Sequence, residues 1–277
     1  MNASSGIFGR LYQNRCGKFK DSSAFYNFLQ LLSVCICWGI LFAANFSFHP
    51  SVLLYSVLFA AFYTMCNVAY IHTLTIGPTT LSALFLNLAL IITTIWGFIF
   101  WDSKITVYVI LGLIFVVIAL YLCLHRGRKE EKGVSLKWLI CAVCAMLGNS
   151  GCSIVQRTQQ IKFNGAHGSM LMFFATLLSA LATILIYLKG DKSESKVMLQ
   201  RGWWAPVLAG ICNVVLNIFV ILLALTSLSP SIIYPVLGVG ALMVVTLVST
   251  LCFRERLNAF QYVGLAVGSV AITLLSI

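Results

Sequence analysis

Acidic side chains are the scarcest chemistry in this chain. Seven occur in 277 residues: Asp21, Asp102, Glu130, Glu131, Asp191, Glu194 and Glu255, each in a loop or at the end of an apolar run. Charge of either sign is missing between Asp21 and Asp102, and again between Arg201 and Arg254. Both gaps exceed several-fold the ~20 residues of a membrane-spanning helix. With 9% charged residues and a mean hydropathy of +0.98, against roughly a quarter charged in soluble domains, the chain cannot cover itself with a water-compatible surface. The lack of an intramembrane carboxylate argues against a proton or cation relay, and against a site built for a permanently cationic substrate. Histidines offer no substitute. His49 and His125 fall in loops, His167 caps a span, and His72 near a helix end reads as a satisfied interfacial imidazole. No metal site and no cofactor is expected. HExxH, GxSxG and paired carboxylates are all missing, so the chain is not expected to be an enzyme. Residues 1–13 lack the apolar core of a signal peptide.

Other features have bland readings. The net charge of +11 raises nucleic-acid binding, but no basic stretch is interleaved with stacking aromatics. Basic residues gathering in membrane loops is the usual topogenic pattern. Cys141-x-x-Cys144 lies mid-helix with no second ligand pair, and most of the ten cysteines read as small hydrophobes, without a disulfide framework. Trp96, Trp101, Trp203 and Trp204 sit near span ends and fit an aromatic belt.

What remains is apolar sequence. In hydrocarbon every backbone group must be paired internally, which leaves helices or a closed barrel. Continuous apolarity instead of period-2 alternation selects helices. Spans are predicted at 24–45, 51–74, 79–101, 105–124, 136–160, 167–188, 203–226, 230–252 and 258–277. The charged stretch from His125 to Lys137 divides two similar halves. Laid without a gap over one another, Pro78/Pro230, Ala89/Ala241, Thr94/Thr246, Gly112/Gly264 and Ala119/Ala271 coincide. Upstream, Cys66-Asn67-Val68 recurs as Cys212-Asn213-Val214. Asn2, Ile7, Arg10 and Gln13 match Asn149, Ile154, Arg157 and Gln160 at one constant offset. The opening residues therefore read as the tail of a truncated first helix, from a late-assigned or shortened start.

The expected fold is all-α and integral to the membrane, an inverted repeat of two five-helix units with about nine full spans plus the truncated helix. The first unit covers 1–124, a cytoplasmic connector 125–137, and the second unit 138–277. Arg10, Arg15, Lys18, Lys20, Arg126, Lys129, Lys189, Lys192, Arg254 and Arg256 fall on one side, whereas Lys104, Arg157 and Lys162 fall on the other. The positive-inside rule puts the mid-chain loop in the cytoplasm and the C-terminus outside. An odd number of helices per copy makes the copies face opposite ways, as in carriers whose site lies at the repeat interface.

The polar residues inside spans are uncharged. Asn149, Ser153, Gln156 and Gln160 follow i, i+4, i+7, i+11 spacing along one helix stripe. Asn213 and Asn217 stack one turn apart, with Asn67 as first-copy counterpart of Asn213; Tyr63, Asn87 and Tyr234 add further groups. Singly, each also reads as interhelical glue. As a set they are expected to line a polar cavity, with Gln156 and Gln160 at its mouth. Gly148-x-x-Gly151 and Gly238-x-Gly240 read as close-packing surfaces.

The chain resembles the drug/metabolite transporter superfamily, in its EamA-like branch. The resemblance rests on two five-helix units, the turn prolines Pro78 and Pro230, the mid-span glycines Gly112 and Gly264, and Phe253-Arg-Glu-Arg-Leu257 before the last helix. Asp102-Ser103 departs from the Glu usual in that turn. The resemblance implies a ten-helix basket that exports or exchanges small organic metabolites. Members commonly have cytoplasmic termini; the charge bias here places the C-terminus outside. The expected partners are a small-molecule substrate and membrane lipid, without nucleic acid, in a monomer or weak dimer of a bacterial inner membrane. The alternatives are a non-transporting membrane subunit, which predicts no flux and a large partner contact, and a membrane-embedded enzyme.

Overall fold

The computed structural model describes residues 3–100, 106–124, 135–190, 193–224, 244–253 and 259–274. Among these every regular element is helical: α1 (Ala3–Cys16), α2 (Ser22–Ala44), α3 (Val52–Ile76), α4 (Thr79–Asn87), α5 (Ala89–Phe100), α6 (Val107–Leu124), α7 (Leu136–Lys162), α8 (Gly168–Lys189), α9 (Ser195–Gly202), α10 (Trp204–Ala224), α11, described over residues 244–251, and α12 (Ala259–Leu274). Five helical stretches among the described residues are long and apolar enough to cross a membrane: Ser22–Ala44, Val52–Ile76, Thr79–Phe100, Leu136–Lys162 and Gly168–Lys189. The α9–α10 pair passes the same test as a span bent by 59°. Long apolar side chains such as Ile40, Leu54, Val117 and Leu185 point outward, as they must where the solvent is lipid. This is an integral membrane protein.

Local chemistry sets several helix ends. The Ser135 hydroxyl accepts from the Trp138 N–H at 3.1 Å and caps α7. The turn between α7 and α8 reverses through left-handed backbone at Asn164, Gly165 and His167. His167 is held there by the Ser47 hydroxyl.

Lipid tails are as apolar as leucine, so helices in a bilayer associate through close packing and hydrogen bonds more than through hydrophobicity. The α3–α7 contact works this way. Gly148 lies against the backbone of α3, where an added Cβ would stand 2.8 Å from the Cys66 nitrogen and the Phe62 carbonyl oxygen. Gly151, one turn on, faces the Phe62 ring. At the other end of this pair Gly77 lies flat on the Trp138 indole, whose Nε1–H donates to the Ser82 hydroxyl at 3.1 Å. Beyond it, α3 packs on α8, where the Ser179 hydroxyl lies 3.2 Å from the Ala60 carbonyl. Further contacts join α1 with α10, α2 with α8 and α10, and α6 with α12.

The span predicted at 79–101 is present as Thr79–Phe100, with a single turn residue, Leu88, between α4 and α5. Two expectations need correction. Part of the loop predicted between residues 189 and 201 is helical, because Met198 buries against α1 and pulls α9 onto the bundle. Arg10, assigned to a cytoplasmic loop, sits within α1 and donates to the Leu74 carbonyl at the end of α3. Much of the connector, Pro230 and Gly238-x-Gly240 lie outside the described residues.

Candidate functional site

The interruption at Leu88 is the first unusual feature of the bundle. The Leu88 N–H reaches both the Leu84 and Leu86 carbonyls, which tightens the helix for one turn before α5 begins. Broken backbone is tolerated at membrane depth only where neighbouring groups satisfy it. Helix α7 supplies them from consecutive residues. Asn149 Nδ2 donates to the Leu86 carbonyl at 3.0 Å. The Ser150 hydroxyl donates to Met146 in its own helix at 2.7 Å and lies 3.1 Å from the Ala89 carbonyl.

Two of the sequence-predicted residues therefore meet at this break, since Asn87 is its first flank and Asn149 holds the carbonyl beside it. Asn87 turns its own amide back to the Ala83 carbonyl at 2.9 Å. Ser153 donates to the Asn149 carbonyl at 3.1 Å, and Gln156 is half-buried further along α7. On α3, Asn67 is 0% exposed and its nitrogen donates to the Tyr63 carbonyl at 2.8 Å, while its Oδ1 has no hydrogen-bond partner among the described residues. Asn213 and Asn217 engage each other on α10: Asn217 Nδ2 lies 2.7 Å from the Asn213 carbonyl and 3.1 Å from its Oδ1. Tyr234 lies outside the described residues.

The sequence reading missed a second polar group where α1 meets α2. Gln13 Nε2 lies 3.3 Å from the Ser23 hydroxyl, and Gln30 Nε2 lies 3.3 Å from the Ser5 hydroxyl. Between them Asn27, only 1% exposed, has neither amide atom hydrogen-bonded among the described residues. The hydroxyls of Tyr12 and Tyr26, whose rings sit 5.1 Å apart, are likewise buried without a hydrogen-bond partner. Buried polar atoms are nearly always paired, so this concentration is unusual. Its signal was present in the sequence: Ser23, Asn27 and Gln30 share one face at i, i+4, i+7.

A groove of about 600 Å³ runs between α3, α7 and α8. None of the predicted residues lines it, and its walls are apolar, so it is not the polar cavity expected from the sequence. Among the described residues no group of three or more His, Cys, Asp or Glu is placed to hold a metal ion. Every described cysteine is free, Cys141 and Cys144 included.

Comparison with curated proteins gives no match. Residues 3–124, from the first described helix through the end of α6, match the model of the EamA-like transporter family, so the first unit is similar to membrane transporters of the drug/metabolite type.

Proposed function

We propose that the protein is a secondary carrier that exports or exchanges small organic metabolites by alternating access. Its two units, 1–124 and 138–277, would face opposite ways and enclose an uncharged polar path. The pairing of helices supports this arrangement. Exchange α1 with α7, α2 with α8, α3 with α9–α10, and α6 with α12, and the larger contacts map onto one another, while the smaller α1–α3 and α2–α3 contacts have no counterpart of like size among the described residues. The α3–α7 contact becomes α10–α1, α3–α8 becomes α10–α2, and α2–α8 and α6–α12 return to themselves. A two-fold relation between copies would produce such a pattern.

The observation that carries the transport reading is the interrupted α4–α5 span. Discontinuous helices are where carriers of this architecture place substrate, because freed backbone groups and helix ends recognise polar solutes. Here the break is clasped by Asn149 and Ser150, and buried amides with spare capacity stand on α2 and α3, at Asn27 and Asn67. The path offers amides and hydroxyls, which suits neutral, zwitterionic or mixed solutes. On the charge bias, the basic loops face the cytoplasm.

Counterflow in proteoliposomes tests this directly. Vesicles loaded with unlabelled amino acids and other small metabolites, one class at a time, should accumulate the labelled form of at least one faster than protein-free vesicles. Reconstituted, helical protein that moves no member of a broad panel would overturn the carrier reading in favour of a non-transporting subunit.

A further inference from the structure

We propose that the groove between α3, α7 and α8 is a binding site for an anionic membrane phospholipid, with an acyl chain along the groove and the phosphate at one basic end. This inference rests on the chain being a membrane protein and is independent of the transport reading.

The groove opens away from the bundle. Tyr70 and Leu74 of α3 turn toward α1, where they meet Gly6 and Gly9. The groove residues Ala61, Met65, Val68 and His72 occupy the other side of the same helix. Its floor and walls also include Cys144 of α7 and Ala182 of α8. Met65 is 37% exposed and Ile186 47%, so the surface is open to the surrounding hydrocarbon. From Ala60 to His72 at ~1.5 Å per residue the groove runs ~18 Å. One leaflet supplies about half of a ~30 Å hydrocarbon core, so the groove has the length of a single lipid tail.

All three helices bring a basic side chain to the same end. Trp138 against Gly77 sets the start of α7 beside the end of α3, and Val52 clustered with Met170 followed by Ala60 level with Ser179 makes α8 run parallel to α3. Lys137 therefore continues the α7 stripe of Cys144 and Cys141 by one turn. Lys189 continues the α8 stripe of Ala182 and Ile186, and His72 closes the α3 side. All three are exposed. The Asp21 carboxylate lies beside Gly190, on the side of α8 that packs on α2. An apolar channel of one-leaflet length ending in two ammonium groups and an imidazole complements a tail plus a phosphate. A zwitterionic lipid adds a choline that those cations repel.

Native mass spectrometry of the full chain, released from mixed micelles containing phosphatidylglycerol and phosphatidylcholine in equal amounts, reads the preference. The parent protein should retain phosphatidylglycerol over phosphatidylcholine. Each neutralised lysine near an anionic headgroup removes about fivefold in relative affinity, from ~1 kcal/mol per charge. Lys137→Gln combined with Lys189→Gln should thus cut the preference by about 30-fold. Ala61→Trp, which fills the groove from its open face, should lower retention of both lipids. Equal retention of the two lipids by the parent, or an unchanged preference in the double variant, would overturn the site. So would an Ala61→Trp protein that loses self-association while keeping its lipid, since the occupant would then be a second copy.

Discussion

The α3–α7 contact supplies a perturbation whose size follows from the coordinates. An alanine at 148 would place its methyl 2.8 Å from the Cys66 nitrogen and Cβ and from the Phe62 carbonyl oxygen. Carbon atoms rest ~3.5–4.0 Å apart, and these obstacles are mostly backbone, which cannot rotate away. The helices must separate by several tenths of an ångström along a packed seam. Overfilling a packed interior costs ~1–3 kcal/mol, and the better helix propensity of alanine returns up to about 1 kcal/mol. A net loss of ~1–2 kcal/mol corresponds to a 5- to 30-fold shift in the unfolding equilibrium. Gly151→Ala meets the Phe62 ring instead, a side chain able to turn, and should lose less. Gly168→Ala meets nothing within 4 Å and should be neutral or slightly stabilising. Titration of the three variants with sodium dodecyl sulfate in mixed micelles, followed by loss of helical circular dichroism, gives the order. If Gly148→Ala unfolds with Gly168→Ala, or Gly151→Ala proves the weakest of the three, then backbone proximity does not hold α3 to α7.

Three further outcomes follow from the same contacts. Asn27→Leu removes a buried amide with neither atom hydrogen-bonded among the described residues, so thermal stability in detergent should hold or rise while solute flux falls at least tenfold; a clear loss of stability would make Asn27 structural. Ser82→Ala leaves the buried Trp138 Nε1–H without its acceptor and should cost ~1–3 kcal/mol, read as an earlier midpoint in detergent unfolding, whereas Ser82→Thr retains the hydroxyl and should recover much of it. Asn213→Leu, at a site only 5% exposed, should reduce flux well beyond any change in membrane insertion; unaffected transport at equal protein level would remove α10 from the path.

Much of the helix layout was legible because hydrocarbon imposes one rule on every span. The predictions at 24–45, 51–74, 136–160 and 167–188 fall within two residues of α2, α3, α7 and α8 at each end. The interruption at Leu88 was not legible, because neither proline nor glycine marks it and Asn87 looks like one more amide in an apolar run. At the offset that aligns Pro78 with Pro230, the second copy carries Gly238-Val239-Gly240, outside the described residues, and those glycines were the nearest hint available. Of the site, Asn87 and Asn149 were found for a defensible reason, polar groups inside spans, but their role as flank and clasp of a broken helix needed coordinates. Asn27 and Gln30 stand out less in the sequence, because only the packing of α1 on α2 brings Ser5 and Gln13 to the same place.

The halves of the α4–α5 span differ in their surroundings. Every residue of α4 from Thr79 to Leu86 is enclosed by neighbours, whereas α5 shows Ile95, Trp96, Ile99 and Phe100 to the outside. Leu88 keeps helical backbone between them, and α5 still packs on α7, so the halves differ in how deeply the bundle encloses them.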